Sequence, residues 1–170
     1  ATYKWKEVGV LDALVQLEPR ALAIQNSQGD TPIHLAVSTP FASPEVLSTL
    51  IDNYTTDADD NIETCLTLQD STGATPLHCA IANRANEEVL MTLLNSAPEA
   101  TEVKDHQLMT PLHYIASFCF TPITFVKKVI AAYPDAIFQQ STDGDTPLHL
   151  LISNFSNGND IDAVLSEQIA

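Results

Sequence analysis

Histidines, cysteines and a run of acids are the residues here that could hold a metal or move a proton, and their spacing decides which of these they do. Four of the five histidines end the same phrase: Thr31-Pro32-Ile33-His34, Thr75-Pro76-Leu77-His78, Thr110-Pro111-Leu112-His113 and Thr146-Pro147-Leu148-His149. A single active site needs no fourfold copy of its histidine. Helices packed side by side lie on the order of 10 Å apart, so histidines one unit apart are too distant to share a metal. His106, the fifth, reads as a turn residue. The acids Asp57, Asp59 and Asp60 invite a calcium loop, but a loop starting at Asp57 would need Gly at Ile62 and Glu at Leu68, so a solvated acidic loop is expected. Cys65, Cys79 and Cys119 make an odd count without Cys-x-x-Cys spacing, which predicts reduced, packed thiols in an intracellular, reducing compartment. The chain contains no P-loop, GxGxxG, HExxH or zinc-ligand spacing, and nothing groups its Ser, His and Asp as a triad. No enzyme, metal or cofactor is expected.

The four phrases stand 44, 35 and 36 residues apart, and the surrounding chain keeps phase with them. Twelve residues before each Thr lie Pro19, Glu63, Pro98 and Pro134; two further on lie the small residues Ala21, Cys65, Ala100 and Ala136. Two residues before each Thr lie Gly29, Gly73, Leu108 and Gly144. Apolar sets at i, i+1, i+4, i+5 precede these columns: Val10/Leu11/Leu14/Val15, Val46/Leu47/Leu50/Ile51, Val89/Leu90/Leu93/Leu94 and Phe125/Val126/Val129/Ile130. One insertion, Asn53 to Ile62, accounts for the longer first interval. Each apolar set is one face of an amphipathic helix. Ser43-Pro44-Glu45, Asn86-Glu87-Glu88 and Thr121-Pro122 offer helix starts, and Pro19, Pro98 or Pro134 stops the helix. The Thr-Pro of the main phrase is a second start, with Thr capping and Pro at the first helical position; the glycine before it suits a turn with positive φ. One unit is therefore turn, short helix, loop, longer helix, turn. Its four apolar residues, at roughly 1.5–3 kcal/mol each when buried, drive stacking on the next unit.

This pattern resembles the ankyrin repeat, from about Val10 to the end of the chain. It departs in length, with units of 35–36 residues against the usual ~33, in Pro-x-Ala at the end of the second helix in place of Gly-Ala, and in Leu108 where Gly is expected. The resemblance implies an all-α solenoid of stacked helix-turn-helix units joined by hairpin-like turns. As one domain over 1–170 it divides into a partial repeat (1–26), a repeat with the acidic insertion near 53–62 (27–70), two further repeats (71–105 and 106–140) and a truncated repeat (141–170). Thr31, His34, Thr75, His78, Thr110, His113, Thr146 and His149 are expected to be structural, the imidazoles tying neighbouring turns together. Neither end closes the pattern: Trp5 could fold back as an irregular cap, Ile161 to Ala170 reads as the start of another second helix, and the chain is expected to be a piece of a longer protein.

The resemblance also implies a non-catalytic scaffold that binds a protein through its turn tips and the exposed side of its short helices. The tips supply Gln28, Asp30, Thr72, Ala74, Gln107, Met109, Asp143 and Asp145. The short helices supply Ser38, Thr39, Ala82, Asn83, Ser117, Phe118, Ser153 and Asn154. Most are small or polar. Met109 and Phe118, near Tyr114 and Phe120, are apolar where solvent is expected, and so mark either a binding site or a loop folded into the core. Two other roles fit: an arm of a larger assembly touching through terminal helices or the convex back, and a regulatory segment of a longer enzyme. Net charge is −15 with seven Lys and Arg, which argues against nucleic acid and anionic membrane as partners and suits either solubility or steering towards a basic protein surface. No apolar run is long enough for membrane insertion and no signal peptide is visible.

Overall fold

The structure is a computed structural model that describes residues 3–38, 42–54, 62–118 and 121–156; Thr39, Cys119, Phe120, most of the acidic insertion and the stretch from Ile161 lie outside these, as do the side chains of residues 3–8, Trp5 among them. Every element among the described residues is helical: α1 (Tyr3–Leu17), α2 (Pro32–Val37), α3 (Pro44–Tyr54), α4 (Ile62–Thr67), α5 (Pro76–Ala82), α6 (Glu87–Ser96), α7 (Pro111–Phe118), α8 (Ile123–Ala132) and α9 (Pro147–Ser156). Short 3-10 turns at Pro19–Ala23, Pro98–Thr101 and Pro134–Phe138 follow the longer helices, and α4 takes that place after the insertion. The helices form two rows. The short ones pack in the order α2, α5, α7, α9, and the longer ones in the order α1, α3, α6, α8.

Local chemistry sets these boundaries. Pro32 and Pro76 occupy the first turn of α2 and α5, and Thr31, with φ −81° and ψ 165°, accepts a hydrogen bond from His34 N–H. Asn86 caps α6 by accepting from Val89 N–H at 2.9 Å. The start of α8 differs from expectation: Pro122 itself is the N-cap, without a side-chain bond, and Ile123 is the first helical residue. Proline has no side-chain acceptor, so its carbonyl alone, accepting from Phe125 N–H at 3.0 Å, opens the helix. Pro19, Pro98 and Pro134 end the longer helices but also begin the 3-10 turns, because a fixed φ near −65° fits a first helical position.

The core lies between the two rows. Ile33, Val37, Leu77, Ile81, Val89 and Leu93 are buried from facing helices, with Phe125 and Val129 continuing the line. The small-residue column holds where Cys65, Ala100 and Ala136 are buried, but Ala21 is exposed, because no further unit stacks beyond it among the described residues.

Candidate partner-binding face

Consecutive turns are built alike and are bonded to one another. In the first, Asn26 Oδ1 accepts from Gln28 N–H and Asp30 N–H at 2.8 and 2.9 Å, and Asn26 N–H donates to Asp30 O at 2.9 Å. Asp70 Oδ1 does the same for Thr72 and Ala74, and Asp105 Oδ1 for Gln107 and Met109. A side-chain acceptor at the first turn position thus pulls the loop tight. The positive-φ residue follows: 79° at Gly29, 83° at Gly73 and Gly144, and 59° at Leu108. Leu108 therefore keeps the turn geometry that glycine supplies elsewhere, at the steric cost of a Cβ in the left-handed region. Each turn then donates one N–H to the turn before it: Ser71 to Gln28 O, His106 to Thr72 O, and Thr142 to Gln107 O, at 2.9, 3.0 and 2.9 Å.

Histidine supplies a second set of rungs. Thr31, Thr75 and Thr110 N–H donate to Nδ1 of His34, His78 and His113 at 3.2, 3.2 and 3.1 Å. With Nδ1 accepting, the neutral ring carries its proton on Nε2, which donates to the next turn: to Ala74 O, Met109 O and Asp145 O at 3.1, 3.2 and 3.2 Å. All three imidazoles are fully buried, and burial pushes their proton affinities down, His78 to about 4. Thr146 N–H and His149 Nδ1 repeat the local pair at 3.3 Å, but His149 is exposed. A third rung was missed in the sequence, although it is in phase six residues before each Thr. Gln25 Nε2 donates to its own Gly29 O and to Gln69 O, and Gln69 Nε2 to Gly73 O and Lys104 O, at 2.6–2.7 Å. Lys104 breaks the series and reaches Gln139 Oε1 at 2.7 Å.

These rungs bring the turn tips into one line beside the short helices. Gln28, Thr72, Gln107 and Asp143 are exposed at the tips, while Asp30, Met109 and Asp145 are half-buried beneath them. Tyr114 and Phe118 are also half-buried rather than open. Tyr114 sets its ring edge against His78, centroids 4.9 Å apart, lies 6.1 Å from Phe118, and donates its hydroxyl to Asp105 Oδ2 at 2.8 Å. Tyr114 and Phe118 thus form a partly covered aromatic pair, with Met109 half-buried in the turn of the same repeat, intermediate between the two expectations. Leu35, one column with Cys79 and Tyr114 at four residues after Thr, is exposed and was overlooked; counting that column would have found it.

The field over this pair is negative. Burial, then the carboxylates of Asp70 and Asp30, push the Cys79 thiol up to about 12, so it is an unreactive thiol. Burial and the Asp105 carboxylate raise the Tyr114 hydroxyl. Burial would raise Asp70 too, but hydrogen bonds from Thr72 and Ala74 outweigh it and hold that carboxyl down. Among the described residues no cluster of His, Cys, Asp and Glu could hold a metal ion, and no helix is long and apolar enough to cross a membrane.

A family model described as ankyrin repeats, in three copies, matches residues 3–105. No curated protein matches the chain. Stacked pairs of helices, bonded turns and a model match over more than half of the sequence lead to one assignment: this chain belongs to the ankyrin repeat family.

Proposed function

We propose that the chain is a non-catalytic scaffold that binds a protein along its turn tips and short helices. Ankyrin repeats bind other proteins, and the observation that carries the reading here is the half-buried pair Tyr114 and Phe118 in the repeat whose turn holds half-buried Met109 and exposed Gln107. A half-covered aromatic cluster inside a polar rim has the composition of a binding hot spot. Against a reaction stands the commitment of both ring nitrogens of His34, His78 and His113 to fixed hydrogen bonds. Net charge −15 favours a partner with a basic surface over nucleic acid or anionic membrane. The buried Cys65 and the unreactive Cys79 suit a reducing, intracellular setting.

The test is affinity capture from the native source with the chain beside two variants, Met109→Asp/Phe118→Asp and Thr72→Lys/Gln107→Lys. Circular dichroism must first show each variant folded; the second changes only exposed tips. A protein held by the parent and lost by both variants supports binding at this face. A protein held equally by all three moves the contact to the terminal helices or the back and favours the assembly arm.

A further inference from the structure

The third turn departs from its fellows in composition. Aligned position by position, the turns read Ser27-Gln28-Gly29-Asp30, Ser71-Thr72-Gly73-Ala74, His106-Gln107-Leu108-Met109 and Thr142-Asp143-Gly144-Asp145. Large side chains replace Ser or Thr, Gly, and Asp or Ala at three of its four positions. Leu108 is 47% exposed, so much of its apolar surface stays in water. Glycine serves this position elsewhere for two reasons. Its φ is 79° at Gly29 and 83° at Gly73 and Gly144. A Cβ at Gly29 or Gly73 would also lie 2.6 or 2.5 Å from the next turn, at Ser71 N or His106 N. Leu108 holds the same place at φ 59°, in a turn whose Gln107 O is likewise bonded to the turn that follows. Leucine thus takes up left-handed strain that glycine avoids, and sets an apolar side chain at the surface. Such an outlier points to function rather than to folding.

The backbone that carries Leu108 is fixed. Leu108 N–H donates to Asp105 O at 2.9 Å, Asp105 Oδ1 accepts from Gln107 and Met109 N–H at 2.9 and 2.8 Å, and His106 N–H donates to Thr72 O at 3.0 Å. A side chain on a fixed backbone loses little freedom on binding, which suits an anchor that enters a pocket. The surroundings are acidic. Residues 69–74, 104–109 and 140–145 hold Asp70, Asp105, Asp143 and Asp145 against Lys104 alone, and Lys104 Nζ donates to Gln139 Oε1 at 2.7 Å.

We propose that Leu108 is the anchor of the turn-tip face: it enters an apolar socket on a partner protein whose rim carries Lys or Arg opposite Asp143 and Asp145. This rests on the turn-tip reading above and adds to it one residue and the chemistry of the partner. The apolar contact holds the complex, while the charged rim selects the partner and speeds encounter.

Leu108→Gly separates this role from a structural one, because it should leave the urea midpoint at or above the parent's while weakening binding. Leu108→Met keeps an apolar side chain. The probe is the full chain with benzoyl-phenylalanine at exposed Gln107, photo-cross-linked in extract from the native source; mass spectrometry maps the joined partner segment. The purified partner is then titrated against the parent, both Leu108 variants and Thr72→Lys/Gln107→Lys. The expected result is a cross-linked segment that joins apolar residues to Lys or Arg, affinity at least about tenfold weaker for Leu108→Gly, and affinity kept by Leu108→Met. A partner held equally by Leu108→Gly but lost by Thr72→Lys/Gln107→Lys overturns the anchor and leaves the turn-tip face standing. A partner held by every variant overturns both. A cross-link to an acidic segment, to a second copy of this chain or to nothing also overturns the proposal.

Discussion

A neutral imidazole buried with both nitrogens bonded is worth most where the next turn supplies its acceptor. Replacing His113 with Ala removes a bond to Asp145 O and orphans Thr110 N–H, so a loss of about 1–3 kcal/mol is expected by urea denaturation. The same change at exposed His149 should cost within about 0.5 kcal/mol. Equal costs would refute the rung assignment. pH follows from the same burial. His78 falls from 6.5 unfolded to about 4 folded, so its neutral fold loses nothing above pH 6.5. As pH drops from 6.5 towards 4 the unfolded chain takes up a proton that the fold refuses, and about 3 kcal/mol is lost at 1.36 kcal/mol per unit. Urea midpoints at pH 7.5 and 4.5 should differ less for His78→Gln than for the parent. The histidine column was legible because its phrase is conspicuous. The Asn26/Asp70/Asp105 caps and the Gln25/Gln69 rungs were equally in phase but were not read, since an isolated Asn or Gln carries no motif.

Turns and helices are the scale at which one backbone geometry meets different surroundings. At Gly73 a methyl group would meet both a φ of 83° and the backbone of His106, while at Gly144 the same φ faces open space. Gly73→Ala should therefore cost more than about 2 kcal/mol and Gly144→Ala about 1 kcal/mol, the left-handed penalty alone. Chemical denaturation of the two variants decides it, and similar costs would argue that the turns are not in contact. Leu108 inverts the case. Leu108→Gly relieves about 1–2 kcal/mol of left-handed strain against a larger unfolded-state entropy, for a net gain of about 0.5 kcal/mol by the same measurement. The sequence marked Leu108 as the odd member of its column but could not say whether the turn or the residue yields. The ladder bonds on either side of it decide that, and they join residues more than thirty positions apart. The helix starts were legible where a polar cap precedes Pro or an acid. At Thr121-Pro122 the structure puts the N-cap one residue later, on Pro122, whose carbonyl accepts from Phe125 and Val126 N–H.

For the molecule as a whole, stacking makes stability a sum over neighbours, and neighbours are unequal. The periodicity made the stack legible; it could not show which column members are exposed among the described residues. Ala21, Leu148 and His149 share types or phase with buried counterparts and yet are exposed. The middle units are held from both sides: α5 packs against α2 and α7, and its His78 bonds forward to Met109 O. Among the described residues α9 is held by α7 and the 3-10 turn before it, and Leu148 is 61% exposed. Opening free energies in one protein run from near zero at frayed ends to the full unfolding value in the core. Native-state hydrogen exchange at dilute concentration should therefore rank the turn amides by position. Ser71 N–H and His106 N–H should exchange with the core of α5 and α7, and Thr142 N–H, whose turn is backed on one side, at least tenfold faster. That ratio corresponds to about 1.4 kcal/mol of extra local opening, small enough to require amide resolution and large enough to measure. Uniform rates across the three rungs would mean that the repeats open as one cooperative body, and that the ends draw as much support from the rest of the chain as the middle does.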